Sequence, residues 1–131
     1  MKKYIVFPLL LFVLIALHSC VQYSSTEASF ERLNVPEFKE FIADSTVQLV
    51  DVRTPEEHAA GHIPGSINID VMNGHEELAT TLDPERPVAL YCRSERRSET
   101  AGWVLKKVFF KKVVDLEGGY NAWLEYYGDD K

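Results

Sequence analysis

The chain has 131 residues, 46% of them apolar and 26% charged, with a formal net charge of −6. At roughly 100–200 residues per domain this accommodates one domain; the apolar share excludes a wholly disordered chain, and the acidic balance argues against a general nucleic-acid binder. The two cysteines, Cys20 and Cys92, are too few for a disulfide framework or a cysteine-based structural zinc site.

Met1-Lys2-Lys3 is a short positive start, and residues 4–17 form an almost unbroken apolar run. As a helix that run reaches about 21 Å, short of a hydrocarbon core of about 30 Å. Charge, a short apolar run and small residues predict a secretory signal over residues 1–19. Its end, Leu17-His18-Ser19-Cys20, resembles a bacterial lipoprotein signal, with His18 standing where a small residue is usual. In that family the peptide is cut before the cysteine, which then carries lipid. The resemblance implies lipidation of Cys20 and a place in the bacterial cell envelope, membrane-anchored and facing the periplasm or the exterior. Several acyl chains, at about 0.8 kcal/mol per buried methylene, suffice to hold a soluble domain there. Loss of residues 1–19 removes Lys2 and Lys3 and no acid, so the remaining chain carries −8, and Cys92 is then the one free thiol. Residues 20–29 are small and polar and are predicted to be the lipidated cysteine and a flexible tether, with the folded domain over residues 30–131.

Asn34-Val35-Pro36-Glu37 predicts a helix start, with Asn34 as cap, Pro36 in the first turn and Glu37 completing a capping box; Phe38, Phe41 and Ile42 then share one face. Residues 47–52 read as a buried strand. Thr54-Pro55-Glu56-Glu57 repeats the capping pattern, and Gly61 is expected to end that short helix in the left-handed conformation. A short strand over 67–69 and a helix over 76–82, stopped by Asp83-Pro84, follow. Residues 87–91 predict a strand running straight into Cys92. Residues 98–108 read as a helix with Trp103, Val104 and Val108 inward. A strand over 113–116, a turn at Gly118-Gly119 and a helix over 120–127 complete the chain. Alternating strands and helices imply a parallel sheet covered on both faces, with ligands at the carboxyl ends of its strands.

The segment Tyr91-Cys92-Arg93-Ser94-Glu95-Arg96-Arg97-Ser98 therefore joins a strand to a helix. A short loop there can turn several backbone N–H groups inward, and with the helix N-terminus they form an anion cradle. That field and the adjacent arginines favour a thiolate, the nucleophilic form of cysteine.

With Asp51-Val52-Arg53-Thr54-Pro55-Glu56-Glu57-His58, Gly61-His62-Ile63-Pro64-Gly65-Ser66-Ile67-Asn68-Ile69 and Leu116-Glu117-Gly118-Gly119-Tyr120-Asn121-Ala122-Trp123, this loop makes four landmarks in order. Together they resemble the rhodanese-like family, over nearly all of the chain beyond the tether. The resemblance implies an α/β, three-layer fold: a central parallel sheet with helices on both faces. It also implies a sulfurtransferase, in which Cys92 takes a sulfane sulfur from a donor such as thiosulfate or a persulfide. The sulfur is held as a persulfide and passed to a thiol or cyanide acceptor, in two covalent steps. Substrate contacts are expected from the loop residues Arg93, Ser94, Glu95, Arg96, Arg97 and Ser98. Arg97 is expected to meet anionic donors, Arg93 and Arg96 to be solvated rim charges, and Ser98 to cap the helix. Related phosphatases of this fold place five residues between cysteine and arginine. Here four separate Cys92 from Arg97, which suits a single sulfur atom better than a phosphate.

Two positions depart from the family pattern. Glu95 stands where glycine is usual, and its charge is expected to raise the thiolate's pKa and repel dianionic thiosulfate unless it pairs outward with one of Arg93, Arg96 and Arg97. Phe109 also replaces a usual glycine, in the turn before a strand. Asp51 and Arg53 are read as a supporting ion pair or loop anchor, and His62 as a hydrogen-bonding loop residue. His58 and His75 are read as surface residues, and Trp103 and Trp123 as core. Lys106-Lys107 and Lys111-Lys112 are read as a solvated face rather than an approach to the cysteine. No metal site and no cofactor are implied. Two other functions fit the same residues: a non-catalytic recognition module, and a thiol or persulfide relay with a protein partner in the envelope.

Overall fold

A computed structural model describes residues 27–128. The expected signal, Cys20 and most of the expected tether lie outside the described residues. Strands β1 (Ser29–Leu33), β2 (Gln48–Asp51), β3 (Ile67–Asn68), β4 (Val88–Tyr91) and β5 (Lys112–Leu116) form one sheet in the order β1-β5-β4-β2-β3. Every pairing is parallel. Helices α1 (Val35–Ile42), α2 (Pro55–Ala60), α3 (Glu76–Thr81), α4 (Arg96–Lys107) and α5 (Gly119–Tyr127) alternate with the strands. This is the three-layer arrangement expected.

The strands sort their side chains by period two. Val50, Val88, Leu90 and Val113 pack with Leu78 of α3 and with Ala101 and Leu105 of α4. Ala89, Tyr91, Val114 and Leu116 pack with Val35 and Phe38 of α1 and Trp123 of α5. Both predicted capping boxes form: Asn34 Oδ1 accepts from the Glu37 N–H, and Thr54 Oγ1 from the Glu57 N–H, with each glutamate reaching back to its cap's N–H.

Strand β1 has no counterpart in the predicted elements, and its first residue falls within the span read as tether. Only Phe30 and Leu33 of Ser-Phe-Glu-Arg-Leu are apolar, so no strand-like alternation announces it. It exists because β5 offers it a full parallel register, Ser29 opposite Lys112 through Leu33 opposite Leu116.

The expected inward face of α4 is corrected. Ser98, Ala101, Gly102 and Leu105 face the sheet, while Trp103 is 46% exposed and Val108 is also exposed. The reason is Gly102, where a Cβ would stand 2.2 Å from the Phe30 ring. Small residues let β1 approach the helix, and Trp103 is left to meet Phe30 edge-on, with ring centroids 5.0 Å apart. Gly61 also departs from expectation. Its φ of 161° is extended, not left-handed. Its use is space, since a Cβ would lie 2.9 Å from the Tyr120 hydroxyl oxygen.

Phe109 takes a φ of 68° and is 82% exposed. A bulky side chain in the left-handed region is strained, and this ring recovers little by burial. Phe109→Gly is expected to stabilise the fold by about 0.5–1 kcal/mol, read as a higher urea midpoint with unchanged slope. Beside it, Lys111 pairs with Glu85 and Lys112 with Glu31. Both lysines sit at the amino ends of the strands, away from Cys92, as a solvated and ion-paired face.

Candidate active site

Cys92 directly follows β4 and continues the alternation of that strand, so its side chain lies on the α4 face with Leu90. The residue is 1% exposed. The path of the next residues is fixed from behind by α5. The Tyr120 N–H donates to the Cys92 carbonyl (2.8 Å) and the Asn121 N–H to the Arg93 carbonyl (3.0 Å). Gly119 makes this contact possible, because at φ 63° a Cβ would stand 2.6 Å from the Cys92 carbonyl oxygen. With those carbonyls turned to α5, the backbone N–H groups of residues 93–98 have no acceptor among the described residues. Six successive free amides at a helix N-terminus are a strong local source of positive potential.

One side-chain donor reaches the sulfur among the described residues. The Ser98 hydroxyl oxygen is buried, 3.4 Å from Cys92 Sγ and 3.0 Å from the Glu95 carbonyl oxygen. Its single proton serves one of these at a time. Helix α4 begins at Arg96, so Ser98 is its third residue and not its cap, contrary to expectation. The Arg97 guanidinium is held by Glu57, in a two-pronged contact of 2.8 and 3.0 Å. Arg93 joins the same carboxylate at 3.0 Å while staying largely exposed, so it is a rim charge as expected, with an ion pair the sequence did not announce. These contacts, with Arg97 first among them, hold the Glu57 carboxyl at about 2. Glu57 and Arg93, with Arg53, Gly61 and Tyr120, line an open cleft beside the loop. Ser94 and Arg96 are exposed.

Glu95 occupies the glycine-like position with φ 88°. Its carboxylate turns away from the sulfur, but not toward the loop arginines. It pairs with Arg32 of β1 (3.0 Å) and accepts from the Gly118 N–H (2.8 Å). Arg32 also meets Glu99 at 3.3 Å and Asp115 at 3.6 Å. Asp115 is fully buried, and neither of its oxygens accepts a hydrogen bond. Burial, reinforced by Glu95 and Glu99, pushes its carboxyl up to about 7 against the attraction of Arg32.

On the other face, Asp51 and Arg53 form a buried pair. Asp51 accepts from Arg53 Nε (2.9 Å), Arg53 Nη2 (2.7 Å), the Arg53 N–H (3.0 Å) and the Tyr91 hydroxyl (3.0 Å), and contacts His58 Nδ1 at 2.9 Å. Burial alone would raise the Asp51 carboxyl; the bonds from Arg53 and His58 outweigh it and hold the group below the usual range. Arg53 also donates to the Gly61 carbonyl (2.6 Å), tying the end of α2 to the sheet. His62 Nδ1 bonds the His58 carbonyl at 2.9 Å, and the two imidazoles stack 3.8 Å apart. His58 is thus a partner of Asp51 and not the surface residue expected. Sequence reasoning also missed Tyr91, Glu57, Arg32 and Asp115 at this site. Only Glu57 carried a signal, as a helix-capping residue, and that signal was silent on Arg97.

The rhodanese-like domain model matches residues 34–126. The chain is 32% identical over 101 residues to the thiosulfate sulfurtransferase GlpE of Shewanella oneidensis, covering 75% of this chain and 96% of that protein. It is 33% identical over 101 residues to the putative sulfur carrier protein YrkF of Bacillus subtilis, covering 76% of this chain but 54% of that protein. Among solved structures, a rhodanese-related protein from Thermoplasma volcanium superposes with a TM-score of 0.63 at 30% identity, over 74% of this chain and 93% of that one. The chain, with its cysteine set between a buried strand and a helix, thus belongs to the rhodanese-like domain family.

Proposed function

We propose that the chain transfers a sulfane sulfur through a persulfide on Cys92. The observation that carries this reading is the setting of Cys92: the Ser98 hydroxyl 3.4 Å from Sγ, and a following loop of six amides without an acceptor among the described residues. With thiosulfate, the Cys92 thiolate attacks the sulfane sulfur, the donor's S–S bond breaks, and sulfite leaves with the electron pair. A thiolate or cyanide then attacks the terminal sulfur, and the Cys92 thiolate returns as leaving group. The amides of residues 93–98 stabilise the anionic sulfur, and Arg97 meets the donor's oxyanion. Four residues between Cys92 and Arg97, with Ser98 turned to the sulfur, fit this chemistry better than phosphate ester hydrolysis. Incubation with thiosulfate should add 32 Da to Cys92, and cyanide should remove it. Cys92→Ser should gain no mass and lose turnover entirely; a serine variant that still turned over would overturn the mechanism.

A second reading, a non-catalytic recognition module, draws support from Glu57, which already occupies Arg93 and Arg97. In that case wild-type protein stays unmodified by any sulfane donor while keeping its fold. We also propose anchoring in the bacterial envelope through lipid on Cys20, supported by the positive start, the apolar run and the Leu17-His18-Ser19-Cys20 segment. Mass spectrometry of membrane-extracted protein would read the cut before Cys20 and its acyl mass.

A further inference from the structure

The last turns of α4 and the residues after it carry a feature that sulfur transfer does not use. Residues 100–114 include four lysines and no acid, in a chain whose net charge is −6. Lys111 and Lys112 are neutralised by Glu85 and Glu31, but Lys106 and Lys107 have no carboxylate partner among the described residues. Beside them three large apolar side chains are left in water: Trp103, Val108 and Phe109. Trp103, Lys106 and Lys107 lie on the side of α4 opposite Ala101 and Leu105, and Lys106 Nζ is 5.1 Å from the centre of the Trp103 ring. Phe109 follows where the helix ends, its N–H bonded to the Lys106 carbonyl at 3.2 Å and its φ held at 68°. A bulky residue that is strained and unburied gives the fold nothing that glycine would not, which points to a use outside the fold.

The chain ahead of the described residues arrives at this same patch. The Ser29 N–H and hydroxyl both reach the Lys111 carbonyl, at 3.0 and 3.3 Å, and the next residue, Phe30, meets Trp103 edge-on. Cys20 is nine residues before Ser29, a separation of at most about 30 Å at full extension. So short a link makes docking an intramolecular event, for which weak contacts suffice.

We infer that Trp103, Lys106, Lys107 and Phe109 form a docking surface for an anionic lipid bilayer. The two ammonium groups meet lipid phosphates, and the indole and phenyl rings enter the boundary between headgroups and acyl chains, where such side chains are at home. The remainder of the chain is acidic and is repelled by the same surface, so docking gives the anchored domain one orientation. The inference goes beyond sulfur transfer and rests on the proposed envelope anchoring ahead of Ser29.

The test reconstitutes the full-length protein into vesicles of phosphatidylcholine with one third phosphatidylglycerol, and into vesicles of phosphatidylcholine alone. Brominated acyl chains serve as a contact quencher of tryptophan. Flotation of the vesicles reports the anchor. The difference in quenching between wild type and Trp103→Phe reports docking, since Trp123 is buried and gives both proteins the same background. Quenching of Trp103 is expected with phosphatidylglycerol and should be lost without it or in about 0.5 M salt. Lys106→Gln combined with Lys107→Gln should lower the ratio of docked to undocked domain about 30-fold, from about fivefold per lysine. Phe109→Gly should weaken docking several-fold while raising the urea midpoint, two effects of opposite sign that a purely structural role would not give. All variants should still float. Wild type that floats with Trp103 unquenched, or quenching indifferent to phosphatidylglycerol and to the two lysines, overturns the inference and leaves the anchor standing. Protein that floats with neither kind of vesicle overturns both. A doubled mass by sedimentation in detergent, with Trp103 shielded from acrylamide yet unreached by brominated lipid, overturns the inference by assigning the patch to a second copy of the chain.

Discussion

Asp51→Ala is expected to lower the stability of the folded domain by about 3–5 kcal/mol, the range for removing one partner of a buried ion pair. Domains of this size have about 5–15 kcal/mol in total, so the variant should be largely unfolded by mild urea at 25 °C. The effect is large because Asp51 is not merely half of a pair. Its two oxygens gather Arg53, His58 and the Tyr91 hydroxyl, and Arg53 in turn holds the Gly61 carbonyl. Removing the carboxylate leaves the buried Arg53 guanidinium with the Gly61 carbonyl as its one remaining acceptor and no counter-charge, and takes an acceptor from the Tyr91 phenol. Asp51→Asn, which keeps shape and loses charge, should fall between the two. The measurement is a urea titration at pH 7, and a loss within 1 kcal/mol for the alanine variant would show that the cluster is not what holds α2 to the sheet.

The same groups set the acid side of the stability curve. Asp51 is held below its ordinary value of 3.8 and Glu57 at about 2 against an ordinary 4.5. Both add stability above those ordinary values and lose it as pH falls. Asp115 has the opposite sign, and its contribution declines as pH rises from about 4 to about 7. Between them these three groups favour a maximum near pH 4–5, lower than the usual range. Asp115→Asn should move that maximum upward.

Exchange of the loop arginine and its carboxylate partner should act in opposite directions. Arg97→Met removes a charge-assisted contact worth about 1.5–3 kcal/mol, so KM for thiosulfate should rise roughly 10- to 100-fold. Glu57→Gln keeps an acceptor for the helix cap, since glutamine serves a capping box as well as glutamate. It removes the anion that now sits on Arg93 and Arg97, and KM should fall several-fold. Steady-state kinetics with thiosulfate and cyanide would separate the two. Unchanged KM in both variants would mean that the donor's oxyanion is met by the amides alone. A wild type that is inactive and a Glu57→Gln variant that turns over would mean that this internal carboxylate keeps donors out.

Much of the fold could be read before any coordinates, because local chemistry and global pattern agree. The capping boxes at Asn34 and Thr54 start helices where they stand, and the apolar runs before Asp51 and Cys92 are buried strands. What escaped depends on neighbours distant in sequence. Strand β1 exists through β5, and with it unplaced Arg32 had no location, so the partner of Glu95 could not be named. Trp103 looked like core by size, yet Gly102 and Phe30 decide which face of α4 turns inward. His58 and Tyr91 meet at Asp51 from seven and 40 residues away, a convergence set by sheet register and the path of α2. Cys92 and its loop were legible because strand, thiol, arginines and helix start are consecutive.

An all-parallel sheet has two unlike rims, and the chain uses both. Ser29 enters at the rim formed by the strand starts, where its N–H is held by the Lys111 carbonyl at 3.0 Å. Cys92 stands at the opposite rim, beyond the last residue of β4. Four to five residues of strand separate the two by roughly 15 Å. A hold on the residues before Ser29 would therefore grip the domain at the rim opposite the one where the cysteine loop begins.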